Sequence, residues 1–203
     1  MVGLIKQKKV LLDWPEFQYV AGVDEVGRGC GAGPVVTAAV ILPKGFSSPL
    51  IRDSKKLSEK QRNEAYKLIV DNALAISCNA GSVSDIDVLG INKTTFNTMH
   101  KCLEGLSIKP EYILVDGLYW DTDDKNVSCI PKGDDTYTCI AAAAIVAKVR
   151  RDEYMTKLHD LHPNYGWDTN KGYLTETHIA GLKTHGANKY HRKIFVKNFV
   201  KNN

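Results

Sequence analysis

The chain of 203 residues has no apolar run long enough to cross a membrane. Its longest runs, Pro34–Leu42 (broken by Thr37) and Cys139–Ala147, fall well short of the ~18 residues a helical span needs. No long apolar stretch follows Lys6, Lys8 and Lys9, so no secretory signal is expected. Cysteine is sparse: Cys30, Cys78, Cys102, Cys129 and Cys139 are odd in number, scattered, and form no C-x-x-C pair. This argues against a disulfide framework or a zinc knuckle, and leaves reduced thiols in a cytoplasmic protein. Repeats, low-complexity tracts and linkers are absent. Neither sign of charge dominates. Lys plus Arg is 27 and Asp plus Glu is 23, for a net +4 that permits an anionic partner without requiring one. The rest is ordinary for a globular protein, with 43% hydrophobic and 25% charged residues. The length suits a single domain.

Val20–Asp24 is a short apolar stretch ending in acids, and Pro34–Leu42 reads as a buried strand. Between them, Gly27-Arg28-Gly29-Cys30-Gly31-Ala32-Gly33 cannot be regular structure, because alternate glycines free the backbone to turn tightly or to approach a ligand. Ser58 is expected to cap a helix running to about Asn72, Ala73–Val83 to form a third strand, and Ser84 or Asp85 to cap a short helix that stops at Gly90. Asn92–Leu106 has helical spacing at Phe96, Met99, Leu103 and Leu106. Tyr112–Val115 is a buried strand that ends at Asp116-Gly117, and Val127–Ile130 is another strand. Thr138–Leu161 is the longest helix, and Thr175–Thr184 is a later one. Strands followed by alternating helices and strands predict an α/β layer fold with a mixed central sheet.

Asp24 and Glu25 follow the apolar run Val20-Ala21-Gly22-Val23, and Asp116 closes Tyr112–Val115. Acids at the ends of buried strands are costly unless something compensates them. Two such ends can converge on one cleft, with Asp134 (or its neighbour Asp135) as a third contribution from a loop. Carboxylates gathered there would repel one another, and divalent cations would remove that repulsion. An oxygen-only set suits Mg²⁺ or Mn²⁺ better than zinc. Two other motifs fail on context. Gly27-x-Gly29-x-x-Ala32 fits a dinucleotide fingerprint, but a strand rather than a helix follows it. Asp121-x-Asp123 begins like a calcium loop, but Lys125 stands where a ligand should be.

Arg28 lies inside the glycine turn beside these acids. Lys55 and Lys56 precede a helix start, which suits a phosphate. From Leu182 onward, Lys183, Lys189, Arg192, Lys193, Lys197 and Lys201 are interleaved with His185, Tyr190, His191, Phe195 and Phe199, a pattern that fits a nucleic-acid backbone path. Tyr173 is a candidate stacking residue.

Taken in order, the blocks Tyr19–Gly29 (YVAGVDEVGRG), Asp53–Ser58 (DSKKLS), Leu114–Gly117 (LVDG), Lys132–Asp134 (KGD), Ala141–Asp152 (AAAAIVAKVRRD), Asn170–Tyr173 (NKGY) and Tyr190–Lys193 (YHRK) resemble the motifs of the type 2 ribonucleases H, ribonuclease HII, in a bacterial-type form. Ala144 stands where the helix motif usually has serine. The sister family, ribonuclease HIII, usually carries an N-terminal extension and lacks the Gly-Arg-Gly triplet. The resemblance implies a ribonuclease-H-like fold over a single catalytic domain, residues 1–203. About 1–165 would form the core and about 166–203 a helical, basic C-terminal segment. It implies a monomeric cytoplasmic endoribonuclease that hydrolyses the RNA strand of RNA–DNA hybrids. Duplex DNA containing single ribonucleotides would also be incised, 5′ of the ribonucleotide, leaving 3′-hydroxyl and 5′-phosphate ends. Asp24, Glu25, Asp116 and Asp134 would be the catalytic metal ligands for two Mg²⁺ or Mn²⁺ ions. Gly27, Arg28 and Gly29 would sense the ribose, and Tyr173 would stack under the neighbouring sugar. With four acids bound to metal, the protein would face its polyanionic substrate as more basic than +4 suggests.

Overall fold

The two apolar runs that flank the glycine turn become neighbouring strands at the centre of a mixed sheet. The computed structural model describes residues 11–14 and 16–200, so Lys6, Lys8, Lys9 and Lys201 lie outside the described residues. Strand β1 (Val20–Val26) pairs antiparallel with β2 (Val35–Ile41), which pairs antiparallel with β3 (Ala75–Gly81). On its other side β1 runs parallel to β4 (Tyr112–Asp116), and β4 runs parallel to β5 (Val127–Ile130). The order is β3-β2-β1-β4-β5.

Every residue of β2 is buried, because helices cover both faces of the sheet. Successive side chains point to opposite faces. Val36, Ala38 and Val40 therefore pack against α4 (Thr138–Leu161) and α1 (Glu59–Asn72), while Ala39 joins Val23, Ile113 and Val115 against Met99 and Cys102 of α3 (Ile91–Glu104). Each fully buried Val or Ile there contributes roughly 1.5–3 kcal/mol. The alanines Ala141–Ala144 are 0–4% exposed, and their small side chains let α4 lie close on the sheet.

Most predicted elements appear, with shifts that capping explains. Ser58 caps α1 in a reciprocal box with Gln61, and the helix ends at Asn72 as expected. The short helix α2 (Val83–Leu89) is capped by Ser82, not by Ser84 or Asp85. Ser82 has the extended backbone a cap needs, its hydroxyl accepts from the Asp85 amide at 3.0 Å, and Asp85 returns a bond to the Ser82 amide. The third strand is accordingly shorter than Ala73–Val83, since Ala73 closes α1 and Ser82 opens α2.

After α4 come α5 (Trp167–Asn170), α6 (Glu176–His185) and α7 (Lys193–Val196), packed on Ala32, Met155 and Leu158 around Trp167. At the centre of this segment two histidines are buried, His178 at 0% and His191 at 2% exposure. Trp167 Nε1 donates to His178 Nε2 at 3.2 Å, and the Asn188 amide donates to His191 Nδ1 at 3.0 Å. His178 Nδ1 also lies 2.9 Å from the Tyr173 carbonyl, His191 Nδ1 lies 2.9 Å from Asn188 Oδ1, and the two Nε2 atoms are 3.1 Å apart. Burial pushes His178 down, and burial together with His178 pushes His191 down to about 4 from 6.5. An unfolded chain therefore takes up protons between those values that the folded chain refuses. Stability is fully present above about 6.5 and is lost as pH falls toward about 4, by at most about 1.4 kcal/mol per pH unit for each ring. Thermal melts between pH 7 and 4.5 should show this loss, and His191→Gln should make the acid slope shallower. An unchanged slope would show that His191 does not carry it.

Among the described residues no helix is long and apolar enough to cross a membrane.

Candidate active site

The parallel pairing of β1 with β4 sets the site. Val23 lies opposite Val115, so the next residue of each strand, Asp24 and Asp116, emerges at the same end of the sheet. The turn through Gly133–Asp135 reaches that end, where the Gly133 amide donates to Asp116 Oδ1 at 2.7 Å. Asp134 is 5% exposed and its charge reaches both Asp24 and Asp116. Asp135 is different: its side chain is 41% exposed and pairs with Lys56 at 2.8 Å. Of the two adjacent acids, Asp134 is the one turned toward the strand ends.

Asp24 is 6% exposed, and Oδ1 accepts from the Glu25 amide at 2.6 Å. Burial, then the charges of Glu25, Asp116 and Asp134, push its carboxyl well above the usual carboxylate range. Burial raises Glu25 too, with Arg28 opposing and Asp116 adding. Burial and Asp134 raise Asp116, against the Gly133 amide and Lys55. These are the signs of like charges crowded in a poorly solvated place.

Two cations stand among the acids. Lys55 Nζ lies 3.4 Å from Asp134 Oδ2, and Arg28 Nη1 lies 3.5 Å from Glu25 Oε1. Burial works against the Lys55 ammonium, but Asp134, Asp24 and Asp53 outweigh it and raise its pKa. Lys56 pairs with Asp53 and Asp135. No group of three or more His, Cys, Asp or Glu side chains among the described residues is gathered closely enough to hold a metal ion. The donors are nevertheless all oxygen, and Asp24, Glu25 and Asp116 hold their protons above the ordinary carboxylate range, the chemistry that a hard divalent cation relieves. The residues fit such an ion without being assembled around one.

The glycine turn leaves β1 directly beside these acids. Gly27 has φ +91°, and a Cβ there would meet Arg151 Nε at 2.2 Å, so only glycine fits. Arg28 is held by Asn92 of α3, whose Oδ1 accepts from Nη2 at 2.6 Å. Gly29 is exposed and makes no hydrogen bond among the described residues. The far side of the turn is tied to the C-terminal segment: Gly31 and Ala32 donate to the Gly172 carbonyl, and Gly33 donates to that of Tyr190. This brings Tyr173, 46% exposed, next to the turn, with its hydroxyl facing Cys30.

Two residues assigned above to a nucleic-acid path are not at the surface. His191 belongs to the buried histidine pair, and Arg192 is 0% exposed with its guanidinium bonded to main-chain carbonyls. Lys183, Lys189, Lys193 and Lys197 are exposed. Conversely, Asn92 and the structural use of Arg151 were not apparent from the sequence. Asn92 looks like any residue in a helical first turn, and Arg151 like any basic residue late in a helix.

A sequence model of the family described as Ribonuclease HII matches residues 21–201. The chain belongs to the ribonuclease HII family. It is thus an endoribonuclease, a hydrolase of the type 2 ribonuclease H class that acts on RNA–DNA hybrids. Similar curated ribonuclease HII proteins include that of Bacteroides thetaiotaomicron, 45% identical over 176 residues (86% of this chain, 88% of the relative). Another is that of Christiangramia forsetii, 46% identical over 177 residues (87% and 89%). Among solved structures, the ribonuclease H2 of Pyrococcus horikoshii superposes with a TM-score of 0.74 at 27% identity, covering 91% of this chain and 100% of that one. The Archaeoglobus fulgidus ribonuclease HII, solved in complex with PCNA, gives 0.70 at 25% identity (86% and 93%). Bst ribonuclease HIII, crystallised with Mn²⁺, shares the fold at 18% identity, with a TM-score of 0.63 (89% and 65%).

Proposed function

We propose that this ribonuclease HII incises duplex DNA on the 5′ side of a single embedded ribonucleotide, in addition to cutting the RNA strand of hybrids. The observation that carries this reading is the adjacency of the acids gathered around Asp24 to a glycine turn whose exposed tip, Gly29, has an amide with no hydrogen-bond partner among the described residues. The acids suit phosphodiester hydrolysis. The turn suits a 2′-hydroxyl, the group that distinguishes ribose from deoxyribose.

In this reading Asp24, Glu25, Asp116 and Asp134 hold Mg²⁺ or Mn²⁺, which supplies activation of water and charge stabilisation at the scissile phosphate. Water adds to phosphorus and the P–O3′ bond breaks. The upstream strand keeps a 3′-hydroxyl and the ribonucleotide keeps the 5′-phosphate. Because the ribose lies on the 3′ side of the cut, its 2′-hydroxyl is not placed to attack, and no cyclic phosphate forms. Arg28 and the Gly27 and Gly29 backbone read the ribose, and Tyr173 offers a half-exposed ring to the next sugar. Lys55 and Lys56 have exposed side chains (80% and 53%) in weak ion pairs, so they can exchange acid partners for phosphates. The enzyme works as a monomer in the cytoplasm, with the C-terminal segment from about residue 166 completing one catalytic domain. It serves DNA replication and the excision of misincorporated ribonucleotides.

The test is a labelled duplex carrying one ribonucleotide, beside an all-RNA hybrid and an all-DNA duplex, in Mg²⁺ and in Mn²⁺. Incision 5′ of the ribonucleotide with 3′-hydroxyl ends is expected. A protein that cuts only the hybrid would refute the single-ribonucleotide reading. Tyr173→Ala should slow the single-ribonucleotide cut on the order of tenfold or more, consistent with a lost stacking contact, and slow hybrid cleavage less. An equal loss on both substrates would remove Tyr173 from junction recognition.

A further inference from the structure

The Arg192 guanidinium is fully buried 164 positions along the chain from Arg28, yet it ends on the glycine turn. Its Nη1 donates to the Arg28 carbonyl and its Nε to the Gly33 carbonyl, both at 2.9 Å, and its main-chain amide donates to the Gly31 carbonyl at 2.9 Å. Nη2 is buried with no acceptor among the described residues. The Phe195 ring packs against the guanidinium, 5.4 Å from centroid to carbon. On the other side of the turn, Arg151 donates to the carbonyls of Ala32, Pro34 and Lys171. Among the described residues neither arginine has a carboxylate within ion-pair distance. Two buried cations held by carbonyls alone, one of them with an idle donor, are a poor arrangement for stability. Such an arrangement points to a role beyond holding the fold.

We infer that Arg192 is a positioning residue that aims the Gly29 amide at the substrate's 2′-hydroxyl. The reason is peptide geometry. No peptide bond among the described residues is cis, and in a trans peptide the carbonyl and the following N–H point in opposite directions. When Arg192 draws the Arg28 carbonyl inward, the Gly29 N–H must point away from the interior. Gly29 fits that geometry, being exposed, without a hydrogen-bond partner among the described residues, and surrounded by open space where a Cβ would sit. The donor is thus fixed before substrate arrives, and no reorientation of the turn is needed on binding. Arg192 does not touch the nucleic acid. It acts through one peptide plane.

The inference rests on the single-ribonucleotide reading above, and its test separates the two. Binding is measured in Ca²⁺, without turnover, for matched duplexes that differ by one 2′-hydroxyl. The intact protein should prefer the ribonucleotide duplex. In Arg192→Lys and Arg192→Gln that preference should fall by about two- to tenfold, the worth of one hydrogen bond, while affinity for the all-DNA duplex is retained. A stability control, Leu182→Ala in the C-terminal core, should keep the preference in its folded fraction. If the Arg192 variants discriminate as well as the intact protein, the inference is wrong and the single-ribonucleotide reading stands. If the intact protein neither discriminates nor cuts the single-ribonucleotide duplex, both fail. Amide exchange in the unmutated protein gives an answer that does not depend on the variants folding. The Gly29 amide should exchange freely in the absence of nucleic acid and become protected by the ribonucleotide duplex but not by its deoxy counterpart. Protection already present in the free protein would overturn the inference.

Discussion

Asp24→Asn should abolish cleavage and, in the same molecule, raise the melting temperature of the metal-free protein. Asparagine preserves the shape of the side chain and an oxygen to accept the Glu25 amide, which Asp24 takes at 2.6 Å. It removes a charge that burial and the neighbouring Glu25, Asp116 and Asp134 all oppose. A carboxyl whose folded pKa is raised contributes stability that is fully present below the ordinary value, 3.8, and lost as pH rises through the elevated folded value. The stabilisation by Asp24→Asn should therefore be largest near neutral pH and vanish near pH 3. Each kcal/mol relieved is worth roughly 2–4 °C for a chain of this size. Loss of one acid from the site should cost on the order of 10³-fold or more in rate. Calorimetry in chelator and cleavage assays in Mg²⁺ read the two effects separately. A variant that melts below the unmutated protein at pH 7 would refute the electrostatic account, and retained cleavage would remove Asp24 from the ligand set. Asp116→Asn should lose activity alike with a smaller gain in stability, because Asp116 is less buried and is compensated by the Gly133 amide and Lys55.

Gly22→Ala should have the opposite effect on the fold. A Cβ at Gly22 would sit 2.1 Å from the Cys139 carbonyl carbon, 2.3 Å from its oxygen and 2.4 Å from the Ile140 nitrogen. These are backbone atoms at the start of α4, so no rotamer change relieves the clash. Nor can β1 move aside, because Gly22 is paired with Val40 on one side and Leu114 on the other. The helix must retreat by roughly 1 Å or more. A cost of about 3 kcal/mol or more follows from such overpacking, or a melting point lower by roughly 6–12 °C. Activity of the folded fraction should fall as well. Ile140 packs on Gly133, so displacing it disturbs the turn that carries Asp134. Gly29→Ala, in open space, should leave melting unchanged. A Gly22→Ala protein that melts like the unmutated one would show that the sheet and α4 are not held this closely.

Much of the architecture was legible because its signals are local. The apolar runs leading to Asp24 and to Asp116 announced two strands, and Ser58 announced α1; Asp116 does close β4, whereas β1 continues through Asp24 and Glu25 to Val26, still paired with β2. The misread cap at α2 shows the limit of that reasoning. Ser82, Ser84 and Asp85 are all good capping residues, and only the backbone angles at Ser82 select it. The C-terminal segment shows a larger limit. Arg192 and His191 have the composition of a basic surface path, but composition does not report whether a guanidinium's donors meet solvent or main-chain carbonyls.

The sequence by itself determined the family, the α/β class and the residue types of the site. Those depend on periodicity, on acids at strand ends and on glycines where backbone must turn, all within a few positions of one another. Tertiary structure decided what residue spacing left open between Asp134 and Asp135, and it alone decided what holds Arg28 and what lies behind the glycine turn. Each of those rests on groups far apart in the chain: Asp134 with Lys55, Arg28 with Asn92, and the Arg28 carbonyl with Arg192. Such pairings form only when the parallel strands β1 and β4 bring the acids to one edge and the C-terminal segment folds back beneath the glycines.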